Sequence, residues 1–151
     1  MNKILVAVDG SERSRGAVEK TVELASCLEA DITLITVVAD INQVIDIAEA
    51  STHAAIHRGL KEREAQEKNL EKQGQQVLDE AGQILTEADL EYDTLLRKGD
   101  PADVICDIAE EESYDLIILA DKGLGGVKRF FLGSISDKVV RYATTSVLVV
   151  K

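Results

Sequence analysis

Four short apolar runs, Ile4–Val8, Ile32–Val38, Leu116–Ala120 and Val147–Val150, do most to limit what this chain can become. Each is rich in Ile, Val and Leu and is nearly continuous, with few polar residues interleaved. A strand with one wet face alternates in polarity, whereas a strand covered on both faces does not. The runs therefore read as strands of a parallel sheet with helices above and below. A fifth and more polar segment, Glu91–Arg97, suits an edge strand.

Helical spacing fills the intervals. Val18, Val22, Ala25 and Leu28 recur at helical intervals after Gly10-Ser11. Asp100-Pro101 offers a capping carboxylate and a proline at the first helical position, ahead of Val104, Ile105 and Ile108. Ser134-Ile135-Ser136-Asp137 has the form of a capping box opened by Ser134 and leads into Val139 and Val140. Alternating strands and helices predict a doubly wound α/β fold, Rossmann-like, with a five-stranded parallel sheet and helices on both faces.

The middle differs. Lys61–Gln73 is almost wholly polar, and from Val77 onward Leu78, Ala81, Leu85 and Ala88 restore a helical stripe. The expectation is one long helix, its first half in water and its second half on the sheet, after a shorter helix or ordered excursion over Ile41–Gly59. No Pro/Ser-rich linker or internal repeat divides the 151 residues, so residues 1–151 read as a single domain.

Charge and composition narrow the function. A net charge of −11 disfavours duplex nucleic acid and anionic membrane, both of which call for Lys and Arg against phosphates. Aromatic residues make up only 3%, too few for the stacking platforms of single-strand binding. Neither a signal-peptide pattern nor an apolar run of membrane length is visible, which points to a cytoplasmic protein. Cys27 and Cys106 lack metal-ligand spacing and read as two reduced, partly buried thiols. His53 and His57 would share a helix face, but no further ligand motif completes a metal site, so exposed positions are expected. Tyr92, Tyr114 and Tyr142 are assigned to packing, and Glu110-Glu111-Glu112 to a solvated helix end. No Ser/His/Asp arrangement is legible.

The chemistry concentrates after the third apolar run, in Ala120-Asp121-Lys122-Gly123 and onward to Gly133-Ser134. Gly123, Gly125 and Gly126 let a ligand approach the main chain closely. Gly133-Ser134 stands where a helix begins, with unsatisfied N–H groups and a positive dipole end suited to phosphate. The loop Asp9-Gly10-Ser11 would meet this segment at the switch point of the sheet. The same residues also fit a flexible turn before a capped helix, and they match neither the P-loop nor the dinucleotide fingerprint.

The chain resembles the universal stress protein family through Ile4–Ser11, Gly99-Asp100-Pro101-Ala102, Tyr114–Leu119 and the Gly123–Lys151 block. That resemblance implies an adenine nucleotide alpha hydrolase-like fold and a Gly-x2-Gly-x9-Gly-Ser/Thr motif that binds ATP. Here Gly123, Gly133 and Ser134 stand at the right spacing, while Ala120 replaces the first glycine and Asp121 follows it. Asp121 brings negative charge close to the implied phosphates, and Lys122, Lys128 and Arg129 are either its counterweight or solvated loop charges.

By the same resemblance Asp9 lies at the nucleotide and Val37 against adenine, and Ile135 and Ser136 join Ser134 at the helix start. From the residues alone, Asp9 equally fits a turn or cap carboxylate and Val37 a core position. The implied ligand is ATP, with AMP or ADP as variants and Mg²⁺ as a companion. The implied protein is a regulatory switch, homodimeric through the last strand, Ser146–Val150. A pure interaction protein that has lost nucleotide binding and a slow ATPase or nucleotidyl-transfer enzyme are the alternatives.

Overall fold

The computed structural model describes residues 3–44, 53–123 and 131–151. In chain order the elements are β1 (Lys3–Ala7), α1 (Glu12–Leu28), β2 (Asp31–Val38), α2 (Ile41–Val44), α3 (His53–Glu87), β3 (Tyr92–Lys98), α4 (Pro101–Glu111), β4 (Leu116–Ala120), α5 (Ser134–Tyr142) and β5 (Ser146–Val150). All pairings are parallel and the strand order is β3-β2-β1-β4-β5. The predicted doubly wound sheet is what forms, and the polar fifth segment, as Tyr92–Lys98, takes an edge.

Continuity of the apolar runs follows from burial on both faces. Ile4, Val6, Ile32, Leu34, Leu116 and Ile118 point to the side covered by α1 and α3. Their strand neighbours Leu5, Ile35, Ile117 and Leu119 point to the side covered by α4 and α5. One face buried per residue parity makes Ile4–Ala7 of β1 and every position of β4 apolar. No helix among the described residues is long and apolar enough to cross a membrane.

Helix α3 has 35 residues, about 52 Å at ~1.5 Å per residue. The eight-residue β2 spans about 26 Å at ~3.3 Å per residue, so α3 overhangs the sheet. Leu78, Ala81 and Leu85 are buried on the sheet, as the stripe predicts, while Ile56 and Leu60 on the overhang are exposed. Gly74 is the crossing point: a Cβ there would meet Leu96 Cδ1 at 2.6 Å and Val38 Cγ1 at 2.9 Å.

Several expectations are corrected. The long helix, His53–Glu87, already includes residues 53–59, which therefore do not belong to a separate shorter element; before it Ile41–Val44 is helical, and residues 45–52 lie outside the described ones. Gly59 meets nothing and is carried inside the helix. The polar half is not wholly in water either, because Lys98 at the end of β3 pairs with both Glu67 and Glu71. These two carboxylates push the Lys98 ammonium pKa upward. Cys27 is exposed and not partly buried, whereas Cys106 is half-buried and its thiol pKa is raised by burial. Tyr92 and Tyr114 pack as expected, but Tyr142 at the end of α5 is 72% exposed. His53 and His57 are exposed, as predicted.

Candidate functional site

A cleft of about 330 Å³ opens beyond the carboxyl ends of β1, β2 and β4, where the winding reverses between the neighbouring strands β1 and β4. Its walls are chemically divided. Ala7, Ile35, Val37, Pro101, Ile105 and Leu119 make one part apolar. Asp9, Ser14, Lys122, Gly123, Gly133 and Ser134 make the other part polar or bare backbone. Val8, Ala120, Ile135 and Ser136 complete the lining. Asp9, Val37, Ala120, Gly123, Gly133, Ser134, Ile135 and Ser136 therefore face one space.

Local bonding fixes the first loop. The Val8 N–H donates to the Ile35 carbonyl at 2.9 Å, and the Thr36 hydroxyl donates to the Val8 carbonyl at 2.7 Å, so β1 stays tied to β2 up to the turn. The Ser11 N–H donates to Asp9 Oδ1 at 3.0 Å, closing the Asx turn that the residues alone allowed. Gly10 sits at φ +80°, a left-handed conformation that favours glycine, and a Cβ there would come within 2.9 Å of Val77 Cγ2 on α3. The Ser11 hydroxyl accepts from the Ser14 N–H and caps α1. Ser14, missed in the sequence, turns its hydroxyl to the Ser11 carbonyl and receives the Asp9 N–H at 3.4 Å.

The second loop approaches the first closely. A Cβ on Gly123 would run into the Asp9 carboxylate. One on Gly133 would meet Lys122 Cα at 3.2 Å and the Asp121 carbonyl at 3.3 Å. The Gly133 N–H donates to that carbonyl at 2.7 Å, and the Asp121 N–H donates to the Val150 carbonyl at 2.8 Å. Gly125, Gly126, Lys128 and Arg129 lie outside the described residues.

Helix α5 corrects the capping expectation. Its N-cap is Gly133, with extended backbone and no side-chain capping bond, and Ser134 is already helical. Ser136 is buried, and its hydroxyl donates to the Ala120 carbonyl at 2.7 Å, which ties the helix to the end of β4. Helix α4 contrasts with it. Asp100 accepts from the Asp103 and Ala102 N–H groups at 3.3 and 3.1 Å, and the Asp103 bond above all, with the Lys138 ammonium beside it and the Ala102 bond, holds its carboxyl below its ordinary pKa.

Asp121 also departs from expectation. It is buried, absent from the cleft lining, and paired with Arg13 Nη1 on α1 at 3.0 Å. Lys122 does face the cleft. The partner of Asp121 is thus a residue 108 positions away, which no local spacing reveals.

The sequence profile of the universal stress protein family matches residues 1–151. Universal stress protein YxiE of Bacillus subtilis is 29% identical, with 99% of both chains covered. Universal stress protein MJ0531 of Methanocaldococcus jannaschii is 30% identical over 99% of this chain and 81% of its own.

Among solved structures, that of hypothetical protein MJ0577 superposes with a TM-score of 0.78 at 24% identity, covering 99% of this chain and 95% of that one. A universal stress protein in complex with cAMP superposes at 0.71, with 21% identity and 99% and 97% coverage. An Arabidopsis thaliana relative with AMP bound superposes at 0.65, with 20% identity and 100% and 92% coverage. The Archaeoglobus fulgidus protein in complex with dAMP superposes at 0.66, with 19% identity and 100% and 98% coverage. At these identities the structures speak for the fold; the profile and the curated relatives speak for descent, and the chain belongs to the universal stress protein family.

Proposed function

We propose that the cleft binds an adenine nucleotide, ATP foremost, and that occupancy biases the conformation or assembly of a regulatory homodimer. The observation that carries this reading is the bare start of α5. Its N-cap, Gly133, supplies no side-chain cap, and among the described residues no side chain is seen to cap the first-turn N–H groups, which begin at the cleft wall, where Gly133 brings the backbone of residues 121–123 alongside. Unsatisfied donors and the positive end of the helix dipole suit a phosphate. The apolar part formed by Ile35, Val37, Pro101, Ile105 and Leu119 suits a purine ring, which gains by leaving water.

Roles follow from position. Val37 and its apolar neighbours cover the base, Asp9 meets the ribose side, and Gly123, Gly133, Ser134 and Ile135 line the phosphate path. Ala120 and Ser136 shape the wall between base and phosphates. The AMP, dAMP and cAMP carried by structurally similar proteins support adenine as the base. A ligand that contacts one state better than another shifts their populations without being consumed, which is how such a site acts as a switch.

Purified protein denatured and analysed by nucleotide chromatography tests the reading. Released ATP, ADP or AMP is the expected result. Protein that releases none, and takes up none after incubation with millimolar ATP and Mg²⁺, would sink it.

A further inference from the structure

Resting on that reading, we infer that Arg13 is a positioning residue for the phosphate end of the cleft, holding the Asp121 carboxylate toward α1 and so setting the preference for tri- over monophosphate. Asp121 lies between Ala120 and Lys122, both of which line the cleft, and its carbonyl receives the Gly133 N–H that fixes the start of α5. Its carboxylate is therefore a formal negative charge set behind the phosphate wall, off the lining itself. The side chain is 11% exposed, too little for water alone to solvate a carboxylate well, and it bonds Arg13 Nη1 at 3.0 Å. Arg13 is half-exposed and stands in the first turn of α1, just past the Asx turn of Asp9.

A like charge near a ligand costs more as the ligand carries more charge. Lost compensation therefore penalises a triphosphate above a monophosphate, through space and with a dependence on salt. A purely structural role for Arg13 would weaken both nucleotides alike.

Calorimetry with MgATP and with AMP, on wild type, Arg13→Ala, Asp121→Asn and the double variant, tests this. The expected result is that R13A weakens ATP about tenfold more than AMP, roughly 1.4 kcal/mol of selectivity. D121N binds ATP no worse than wild type, the double variant recovers most of the loss, and the R13A deficit shrinks in high salt. Arg13→Gln, closer in size, should reproduce the split and serves if R13A melts early. Equal losses for ATP and AMP, or a double variant as weak as R13A, overturn the inference while the nucleotide reading stands. Wild type that binds neither nucleotide overturns both.

Discussion

Gly133 shows how a single missing carbon shapes the site. Its φ of −62° is open to any residue, so the constraint is contact alone. The atoms a Cβ would meet, Lys122 Cα and the Asp121 carbonyl, belong to backbone and cannot rotate away. Gly133→Ala is expected to part the 121–123 loop from α5, weakening ATP binding about tenfold while destabilising the fold by only about 1 kcal/mol. Calorimetry and chemical denaturation of the same preparation check the two halves. The glycine spacing that marked this position was legible because it is local. The Arg13–Asp121 pair was not, since its members meet only when the sheet places α1 beside the end of β4. Ser14 escaped notice for a related reason: a serine in the first turn of a helix has no signal of its own until the Asp9 turn folds over it.

Among the elements, α4 and α3 make opposite points about local signals. Asp100-Pro101 announced the start of α4, and the structure places that cap beside Pro101 at the cleft. The folded carboxyl titrates below its ordinary value because the Asp103 N–H and its other donors favour the charged form. Its contribution is therefore fully present above the unfolded pKa of about 3.9 and disappears as pH falls through the lower folded value. Asp100→Ala should cost about 1 kcal/mol near neutral pH, a difference that narrows below about pH 4 in denaturation curves. The start of helix α3 went unread: Thr52, a residue type favoured at N-caps, precedes His53 in the sequence, but no apolar stripe follows it closely, and the helix's N-terminal reach was underestimated. Its stripe was legible where it packs. Leu85→Ala is expected to cost about 2–5 kcal/mol, whereas Ile56→Ala on the overhang should stay within about 0.5 kcal/mol. A comparable loss at both positions would mean that the overhang is packed in solution.

At the scale of the whole molecule, β5 is an edge strand of short, apolar residues paired on one side to β4. Such an edge invites a second strand, which is the basis for proposing a homodimer through Ser146–Val150. Sedimentation should give twice the mass of the chain, and Val149→Lys should shift it to monomer with its circular dichroism intact. A V149K dimer would place the contact elsewhere. The parallel sheet with helices on both faces was legible because continuous apolar runs demand cover on both sides, whereas the strand order β3-β2-β1-β4-β5 comes from the structure. What the cleft holds is decided by how two loops meet over Gly123 and Gly133, and the most direct measurement is titration of the folded protein with ATP in the calorimeter, with and without Mg²⁺. Saturable binding is predicted, together with about 2.7 kcal/mol of added stability at ATP a hundredfold above its dissociation constant. No heat and no stabilisation at millimolar ATP would contradict the account at its centre.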